Sequence, residues 1–344
     1  MIKSHLKSVL KVACGLVLVF ALLGLAACNN DTAQPAADEN LIGTDTTQEI
    51  IYPAIRVGTL STDDLLPLWV AQAEGLLEDA GLDVEIITFQ SPPEQLAAIT
   101  AGEVDALMTD MVVATLLHES GTPVRAVTKM AGAPAGIVAG PDSGIESLAD
   151  LANVPVGAST PTVIEYIIDK ALLGAGVPED QIAYEVIPAL STRFQMLMEG
   201  NIKAAGLPWT LQSLAAQQGA TVLLDREAAT AFTSTVLVFS QDFIDGNAAT
   251  GEGTSPEVAG AALDAMLKAW DAAVDKINAS PDDYRELLIE KANLPEPLRE
   301  TYAIPTYPKT SLPEAELWDS ILEWMHAKEY LSSDVSYTDL VWNP

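Results

Sequence analysis

The chain has 344 residues, 49% of them hydrophobic, and its 48 acidic residues outnumber its 17 Lys and Arg residues to give a net charge of −31. A surface as negative as this repels phosphate backbones and anionic lipid headgroups, so the composition excludes nucleic acid as a partner. The length is too great for one small domain and is sufficient for two lobes, each with its own core.

Residues 1–27 have the organisation of a secretory signal peptide, with three lysines, then an apolar run and then small residues ahead of Cys28. The tetrad Leu-Ala-Ala-Cys at 25–28 resembles the bacterial lipobox, in which the cysteine is lipidated and becomes the first residue of the mature protein. An ordinary cleavable signal and an uncleaved anchor helix are the alternatives. Cys14 would leave with the peptide, so the mature chain is expected to contain neither a disulfide nor a thiolate metal site. We therefore predict an extracytoplasmic lipoprotein that is anchored to the membrane through Cys28, on a cell surface or in a periplasm.

Residues 28–52 are rich in Asn, Asp, Thr, Ala and Gln and contain almost no aromatic residues. This composition is typical of a flexible tether, because it cannot bury enough apolar surface to offset the entropy lost on ordering. We predict that the tether holds a folded body, residues 53–344, clear of the bilayer.

Strands and helices alternate in the first part of this body. Short apolar runs bounded by turn residues predict strands, and longer amphipathic runs predict helices. Alternation of this kind favours a parallel sheet covered by helices on both faces. The predicted strands are 55–59, 84–89, 105–108 and 124–130, and the predicted helices are 65–80, 93–101 and 111–119.

The same alternation begins again near residue 154. Gly58 and Gly157 lie 99 residues apart, each at the end of a first strand and before a turn rich in hydroxyl groups. Gly102 and Gly200, 98 residues apart, each follow an amphipathic helix and precede a short strand. The shared order and spacing predict a second lobe with the topology of the first. Its predicted strands are 154–159, 182–187, 203–207 and 221–224, and its predicted helices are 161–173, 194–198 and 208–217.

An apolar strand predicted at 235–240 returns the chain to the first lobe. Helices follow at 258–278, 282–292 and 313–330, with a proline-rich loop between the last two. We therefore expect lobe one to comprise 53–138 and 236–344, and lobe two to comprise 139–235.

The motifs of the body resemble those of the substrate-binding proteins of ABC importers in the nitrate, taurine and thiamine-precursor branch. The resemblance begins with Gly58-Thr59-Leu60, with Ala-Gln-Ala-Glu-Gly-Leu-Leu at 71–77 and with Ala-Gly-Leu-Asp-Val at 80–84. It continues with Ala-Gly-Glu-Val-Asp-Ala at 101–106 and with residues 200–205 followed by Pro208. It implies an α/β, two-lobed periplasmic-binding-protein-like fold of type II, in which each lobe is a mostly parallel sheet flanked by helices. It also implies a small-molecule ligand and delivery to an ABC permease; we expect a monomer. Lys203, where the family usually has Asp, and Pro208-Trp209-Thr210 depart from the family pattern, so the resemblance does not name the substrate.

In open α/β sheets, ligands bind beyond the carboxyl ends of the strands, where helix N-termini present unpaired N–H groups. Two such lobes facing each other form a cleft that closes on a solute by hinge motion. The loops that follow the strands therefore supply the candidate ligand-binding residues, which are Ser61, Asp63, Asp64, Thr109, Asp110, Ser159, Thr160, Thr162, Pro208 and Trp209.

Each candidate has a structural interpretation beside the functional one. The acidic and hydroxyl residues are also types that cap helices, and Pro208 fits a helix start. Trp209 would either stack on a flat or cationic solute or pack on its own sheet. Arg193 would reach a ligand carboxylate or, as we expect, lie solvated on its helix. Ser234 and Thr235 would line the cleft or serve only as a hinge.

The predicted loops carry three carboxylates and no Lys or Arg. This favours an amine or a heterocycle as the solute. Backbone N–H groups at helix ends also bind a sulfonate or another small anion without a basic side chain, so both classes stay open.

Catalysis is the main alternative to solute binding, by resemblance to a thiamine-pyrimidine synthase that depends on His and Cys clusters. Beyond the signal only His118 and His326 remain, far apart in sequence, and no nucleophile elbow, phosphate loop or HExxH motif occurs. We therefore expect neither catalysis nor a cofactor or metal. A sensor would use the same body, whereas a structural lipoprotein is disfavoured by the predicted cleft and the absence of solenoid repeats.

Overall fold

The computed structural model of the chain describes residues 50–251 and 253–343. The predicted signal peptide, Cys28 and nearly all of the predicted tether lie outside the described residues. Within the described ranges, no helix is both long enough and apolar enough to cross a membrane.

The described residues form ten strands and a set of helices, in the alternating order that the sequence predicts. The strands are β1 (Ile55–Thr59), β2 (Val84–Thr88), β3 (Ala106–Asp110), β4 (Val124–Lys129), β5 (Ala135–Ala139), β6 (Pro155–Ala158), β7 (Ala183–Val186), β8 (Ala204–Pro208), β9 (Thr221–Leu224) and β10 (Thr235–Ser240). The helices are α1 (Leu66–Ala73), α2 (Leu76–Asp79), α3 (Pro92–Thr100), α4 (Met111–Glu119), α5 (Val163–Gly174), α6 (Leu190–Met198), α7 (Trp209–Gln217), α8 (Arg226–Ala229), α9 (Gln241–Ile244), α10 (Pro256–Ala279), α11 (Arg285–Lys291), α12 (Ala315–Ala327) and α13 (Tyr337–Leu340).

The strands make two mixed sheets with the same strand order. The first sheet runs β2-β1-β3-β10-β4, and the second runs β7-β6-β8-β5-β9. In the first sheet β1 pairs in parallel with β2 and β3, and in the second β6 pairs in parallel with β7 and β8. The strands β10 and β5 run antiparallel to both of their neighbours. Four strands of each sheet therefore point one way and one points the other. This arrangement confirms the predicted α/β class with two helix-flanked sheets.

The chain crosses between the sheets twice, before β5 and before β10. All five residues of β5 pair with β8, so the expected lobe boundary between residues 138 and 139 falls inside a strand of the second sheet. The first crossing segment, 130–134, is hydrogen-bonded to Thr235, the residue that directly follows the second crossing segment, 230–234. Thr235 N donates to Gly132 O at 2.7 Å, and Met130 N donates to Thr235 O at 2.9 Å.

Local sequence explains where several helices begin and end. The helix predicted over 65–80 is divided because Gly75 adopts a φ of +74°, which a residue with a side chain rarely takes, and this turn ends α1. The 24-residue α10 begins at Pro256 after Ser255, whose Oγ accepts a hydrogen bond from Val258 N.

The two sheets share a core. One apolar cluster contains Leu107 and Val236 of the first sheet and Ile137 and Val156 of the second, together with the buried faces of α4, α5 and α12. A second cluster fills the other face of the first sheet beneath α1 and α10, and a third lies on the second sheet. Because burial of apolar surface is the main force that stabilises a fold, the lobes stabilise each other where they meet.

Candidate ligand-binding site

Asp63 and Asp64 form a buried turn between β1 and α1. Their side chains are only 2% and 4% exposed. Asp63 accepts a hydrogen bond of 2.8 Å from Tyr302 Oη, and Asp64 accepts one of 3.2 Å from Thr235 Oγ1. The cap position of their turn belongs to Thr62, so helix capping does not account for these two carboxylates.

Arg226, the first residue of α8, meets this turn from the second sheet. Its Nη2 lies 2.8 Å from Asp63 Oδ2 and 3.0 Å from Asp63 Oδ1, and the side chain is 20% exposed. The same nitrogen lies 3.4 Å from Tyr302 Oη. This ion pair joins residues 163 positions apart and ties the segment after β9 to the segment after β1.

The indole ring of Trp209 packs against the guanidinium of Arg226. The guanidinium carbon lies 5.2 Å from the centre of the indole ring, within the range of a cation–π interaction. The indole Nε1 donates a hydrogen bond of 2.5 Å to Ala133 O in the first crossing segment. A Cβ at Gly136 would lie 2.7 Å from the ring, so the indole packs closely on β5. Trp209 thus packs on its own sheet and also contacts a cation.

Asp110 serves as the cap of α4. Its Oδ1 accepts hydrogen bonds of 2.9 Å from both Val112 N and Val113 N, which accounts for an Asp at this position. Thr109 is buried in β3, where it pairs with Val236 of β10.

The remaining candidates lie at the ends of β1, β6 and β8. Thr162 Oγ1 donates to Ser159 O at 2.6 Å, and Thr162, rather than Thr160, occupies the cap position of α5. Thr160 is half-buried, Ser61 is exposed, and Pro208 ends β8 beside Ala135. The structure therefore brings Asp63, Asp64 and Trp209 together around Arg226, whereas the hydrogen bonds of Ser159 and Thr162 are local.

Arg193 was expected on a solvated helix face, and this expectation is wrong. The side chain is fully buried, and its guanidinium donates to Ile187 O and to Gly206 O. Burial lowers the pKa of Arg193 to about 10. Arg193 therefore ties α6 to the second sheet by capping backbone carbonyls, which is a structural role.

Burial dominates the electrostatics of the acidic candidates. It raises the pKa of Asp64 from 3.8 to about 7, with a further upward effect from Asp63 and a smaller opposing one from Arg226. Burial likewise raises the pKa of Asp110 to about 6, against the stabilising N–H groups of Val113 and Val112. At Arg226, burial is the largest single effect and disfavours the charge, but Asp63, Tyr302, Asp64 and Tyr307 together outweigh it, so the pKa lies above the ordinary value. The Arg226 guanidinium therefore stays charged, while Asp64 titrates near neutral pH.

A cavity of about 580 Å³ adjoins this cluster. Its wall includes Gly132, whose O accepts from Thr235 Oγ1, and Tyr307, whose Oη donates 2.7 Å to Asp63 O. Thr230 and Ser234 of the second crossing segment also line it. The carboxylate turn therefore lies next to a cavity that both crossing segments line.

Sequence reasoning missed three members of the cluster, which are Arg226, Tyr302 and Tyr307. Tyr302 and Tyr307 reach Asp63 from 239 and 244 residues away, out of the proline-rich loop that the sequence indicated only as a break between helices. No local pattern signals pairs that are so distant. Among the described residues, no group of three or more His, Cys, Asp and Glu side chains is arranged to hold a metal ion.

The chain matches a family model described as NMT1/THI5-like over residues 62–279. No curated protein matches it.

Several solved structures have the same fold at low identity. The periplasmic aliphatic sulphonate binding protein SsuA from Escherichia coli is 19% identical, with a TM-score of 0.70 over 85% of this chain and 92% of that one. The periplasmic nitrate-binding protein NrtA from Synechocystis PCC 6803 is 15% identical, with a TM-score of 0.63 over 83% and 84%. The desulfurization enzyme DSZB is 14% identical, with a TM-score of 0.59 over 83% and 96%. One fold therefore serves binding proteins and an enzyme, and function has to be argued from the site.

Proposed function

The chain belongs to the NMT1/THI5-like family, and from this premise we propose that it is an extracytoplasmic solute-binding protein that captures a small polar organic nutrient between its lobes and delivers it to the permease of an ABC importer. The family assignment confirms the resemblance carried by the order of motifs in the sequence. Two of the similar structures support a binding role, because one is named as a periplasmic aliphatic sulphonate binding protein and the other as a periplasmic nitrate-binding protein.

The observation that carries the proposal is the meeting of Asp63 and Arg226. These residues follow strands of two different sheets with the same strand order, so groups suited to a charged solute gather where the sheets approach each other. This is the position at which open α/β sheets bind their ligands, beyond the carboxyl ends of the strands. The two crossing segments beside the cluster supply the hinge that capture and release require.

We further propose that the body is a two-lobed unit on a lipid anchor. Lobe one would comprise residues from 53 to the first crossing and from β10 to 344, with lobe two between them. Cys28 would carry the lipid and 28–52 would act as the tether, which would keep the solute-binding body beside its permease.

The enzyme alternative is supported by the fold of DSZB and by the family description, but the site argues for binding. The two candidate histidines lie on α4 and α12, and His326 Nδ1 is 3.1 Å from the backbone oxygen of Leu331. Neither contacts the Asp63–Arg226 cluster in the described part of the chain. We therefore propose that the cluster binds without chemical change.

A thermal-shift screen of the full chain in detergent tests the proposal. Small sulfonates, nitrate, pyrimidines, amines and amino acids are the probes, and a solute at about 100 times its dissociation constant should add about 2.7 kcal/mol to the unfolding free energy. Any hit should be recovered unchanged after release, as judged by mass spectrometry. A folded protein that no probe stabilises, or a hit that is chemically converted, would contradict the proposal.

A further inference from the structure

Resting on the proposed function, we infer that the solute is a small organic cation and that the Arg226 guanidinium occupies the position which the charged group of the solute takes. The chain would thus carry an internal competitor for its own ligand. Binding would exchange one cation for another on the carboxylate of Asp63.

The first argument is the set of groups around Arg226. The guanidinium has the indole face of Trp209 on one side, the Asp63 carboxylate at 2.8 Å and the Tyr302 hydroxyl at 3.4 Å. An aromatic face with a carboxylate and a phenol is the combination that attracts ammonium and guanidinium groups. The pocket that holds Arg226 therefore has the chemistry of an organic-cation site.

The second argument is the charge balance. Asp63 and Asp64 are adjacent and both buried, yet among the described residues Arg226 is the only basic side chain that contacts either one. The hydrogen-bond donor to Asp64 is the neutral hydroxyl of Thr235. A cationic solute that takes the place of Arg226 keeps a positive charge beside these two carboxylates, whereas an anionic solute adds a further negative group.

The third argument is that Arg226 can leave while the carboxylate stays. A single guanidinium nitrogen makes the contact, and the side chain is 20% exposed on a helix of four residues. Asp63, in contrast, is held by Tyr302 through its carboxylate and by Tyr307 through its backbone oxygen. The cavity of about 580 Å³ beside Gly132 and Thr230 offers space for the body of the solute.

Isothermal titration of the full chain with agmatine, choline and putrescine, and separately with methanesulfonate and nitrate, tests the inference. We expect at least one cation to bind, Asp63→Asn to weaken it by about tenfold or more, and Arg226→Gln to strengthen it by about tenfold, because the competitor is gone. Arg299→Gln, which removes an exposed arginine paired with Glu296, is the matched control and should leave the affinity unchanged.

Opposite outcomes separate the two proposals. If an anion binds and Arg226→Gln abolishes its binding, Arg226 is a ligand residue, the cation inference is wrong and solute binding stands. An unchanged cation affinity in Arg226→Gln also overturns the inference. Should Arg226→Gln fail to fold, the wild type and Asp63→Asn decide the question: a cation whose binding Asp63→Asn weakens supports the inference, and binding of an anion alone overturns it. Absence of binding by every probe in the thermal screen would instead count against the proposed function itself.

Discussion

Trp324 donates a hydrogen bond of 2.8 Å from its indole Nε1 to Asp169 and so joins a helix of each lobe. Trp324 lies on α12, which packs on α4 through the bond from Trp318 Nε1 to Thr115 Oγ1, while Asp169 lies on α5 of the second lobe. The ring of Trp324 also meets Tyr166 edge to face at 5.2 Å. Because these contacts are buried and the Arg226–Asp63 contact is partly exposed, we expect the lobes to separate first on the Arg226 side.

Removing the Trp324 bond should destabilise the whole fold. Trp324→Phe keeps an aromatic ring but leaves Asp169 without this donor, and a hydrogen bond to a charged group is worth about 1.5–3 kcal/mol. We expect a loss of this size in urea unfolding. Trp342→Phe, at a partly exposed ring, is the control and should cost less. Equal losses in the two variants would mean that ring size, not the bond, sets the effect.

The sequence predicted those features of the fold that depend on local patterns. The alternation of short apolar runs with amphipathic runs indicated most strands and helices, and the spacings of Gly58 with Gly157 and of Gly102 with Gly200 indicated two sheets of one topology. The strand β5 was not predicted, although Ala135-Gly136-Ile137-Val138-Ala139 is a short apolar run like those that indicated other strands, because periodicity alone does not distinguish such a run from a buried helical segment.

The candidate site was only partly predictable, because its chemistry depends on contacts between distant segments. Asp63 and Trp209 follow strand ends, which a local pattern reveals. Arg226 follows β9 in the same way, but nothing in its own helix indicates that it reaches Asp63. Arg193 was also misjudged, since it was expected to be solvated and is fully buried. A charged residue on a helix is usually solvated, yet here Gly157 leaves room for it, since a Cβ at 157 would lie 3.3 Å from Arg193 Cγ.

Glu165 and Asp169 of α5 form an ion cluster with Lys328, and we expect the fold to lose stability when Lys328 is removed. Its Nζ lies 2.9 Å from Asp169 and 3.5 Å from Glu165, both of which are buried, while Lys328 is 29% exposed. Lys328→Met would leave two buried carboxylates without their cation, and we expect a loss of about 2–4 kcal/mol after allowance for solvent.

This loss should grow with pH. Burial raises the pKa of Glu165 and Lys328 opposes that rise, so removing Lys328 raises it further and makes ionisation at higher pH more costly. Urea unfolding at about pH 5 and about pH 8 measures the difference. Lys291→Met, at an exposed pair with Glu290, should cost about 1 kcal/mol or less at both values. A loss in Lys328→Met that is no larger than in Lys291→Met would contradict this account.

Gly136→Ala should be strongly destabilising. A Cβ there would lie 2.2 Å from Leu224 O, 2.4 Å from Gln212 Nε2 and 2.7 Å from Trp209, and real Cβ contacts do not reach such distances. We expect a cost of about 3 kcal/mol or more from overpacking, and weaker solute binding as Trp209 is displaced. Gly174→Ala is the control, since it lies in α5 with no atom within 4 Å of its Cβ position and should stabilise by about 0.5–1 kcal/mol. Thermal unfolding compares the two; similar midpoints would show that β5 adapts.

Asp64 should make the fold less stable as the pH rises towards neutrality. Its pKa is raised from 3.8 to about 7 by burial first and by Asp63 second, so between these values the folded chain holds a proton that the unfolded chain has released. The resulting contribution to the free energy of unfolding is fully present below about pH 4 and is lost as the pH passes about 7. Stability falls with pH wherever the folded state binds more protons than the unfolded state.

Asp64→Asn cannot ionise, so its unfolding free energy should fall less steeply between about pH 5 and pH 8 than that of the wild type, with a difference of at most about 2.7 kcal/mol, since about two pH units of the shift lie in this window. Asp110, whose pKa is raised to about 6, acts in the same direction and remains in both proteins, so comparing the two curves isolates Asp64. Unfolding in urea at a fixed ionic strength measures both curves. Parallel curves would mean that the Arg226 guanidinium keeps Asp64 ionised throughout this range. The charge of Arg226 would then be sufficient to stabilise both Asp63 and Asp64 in their ionised forms.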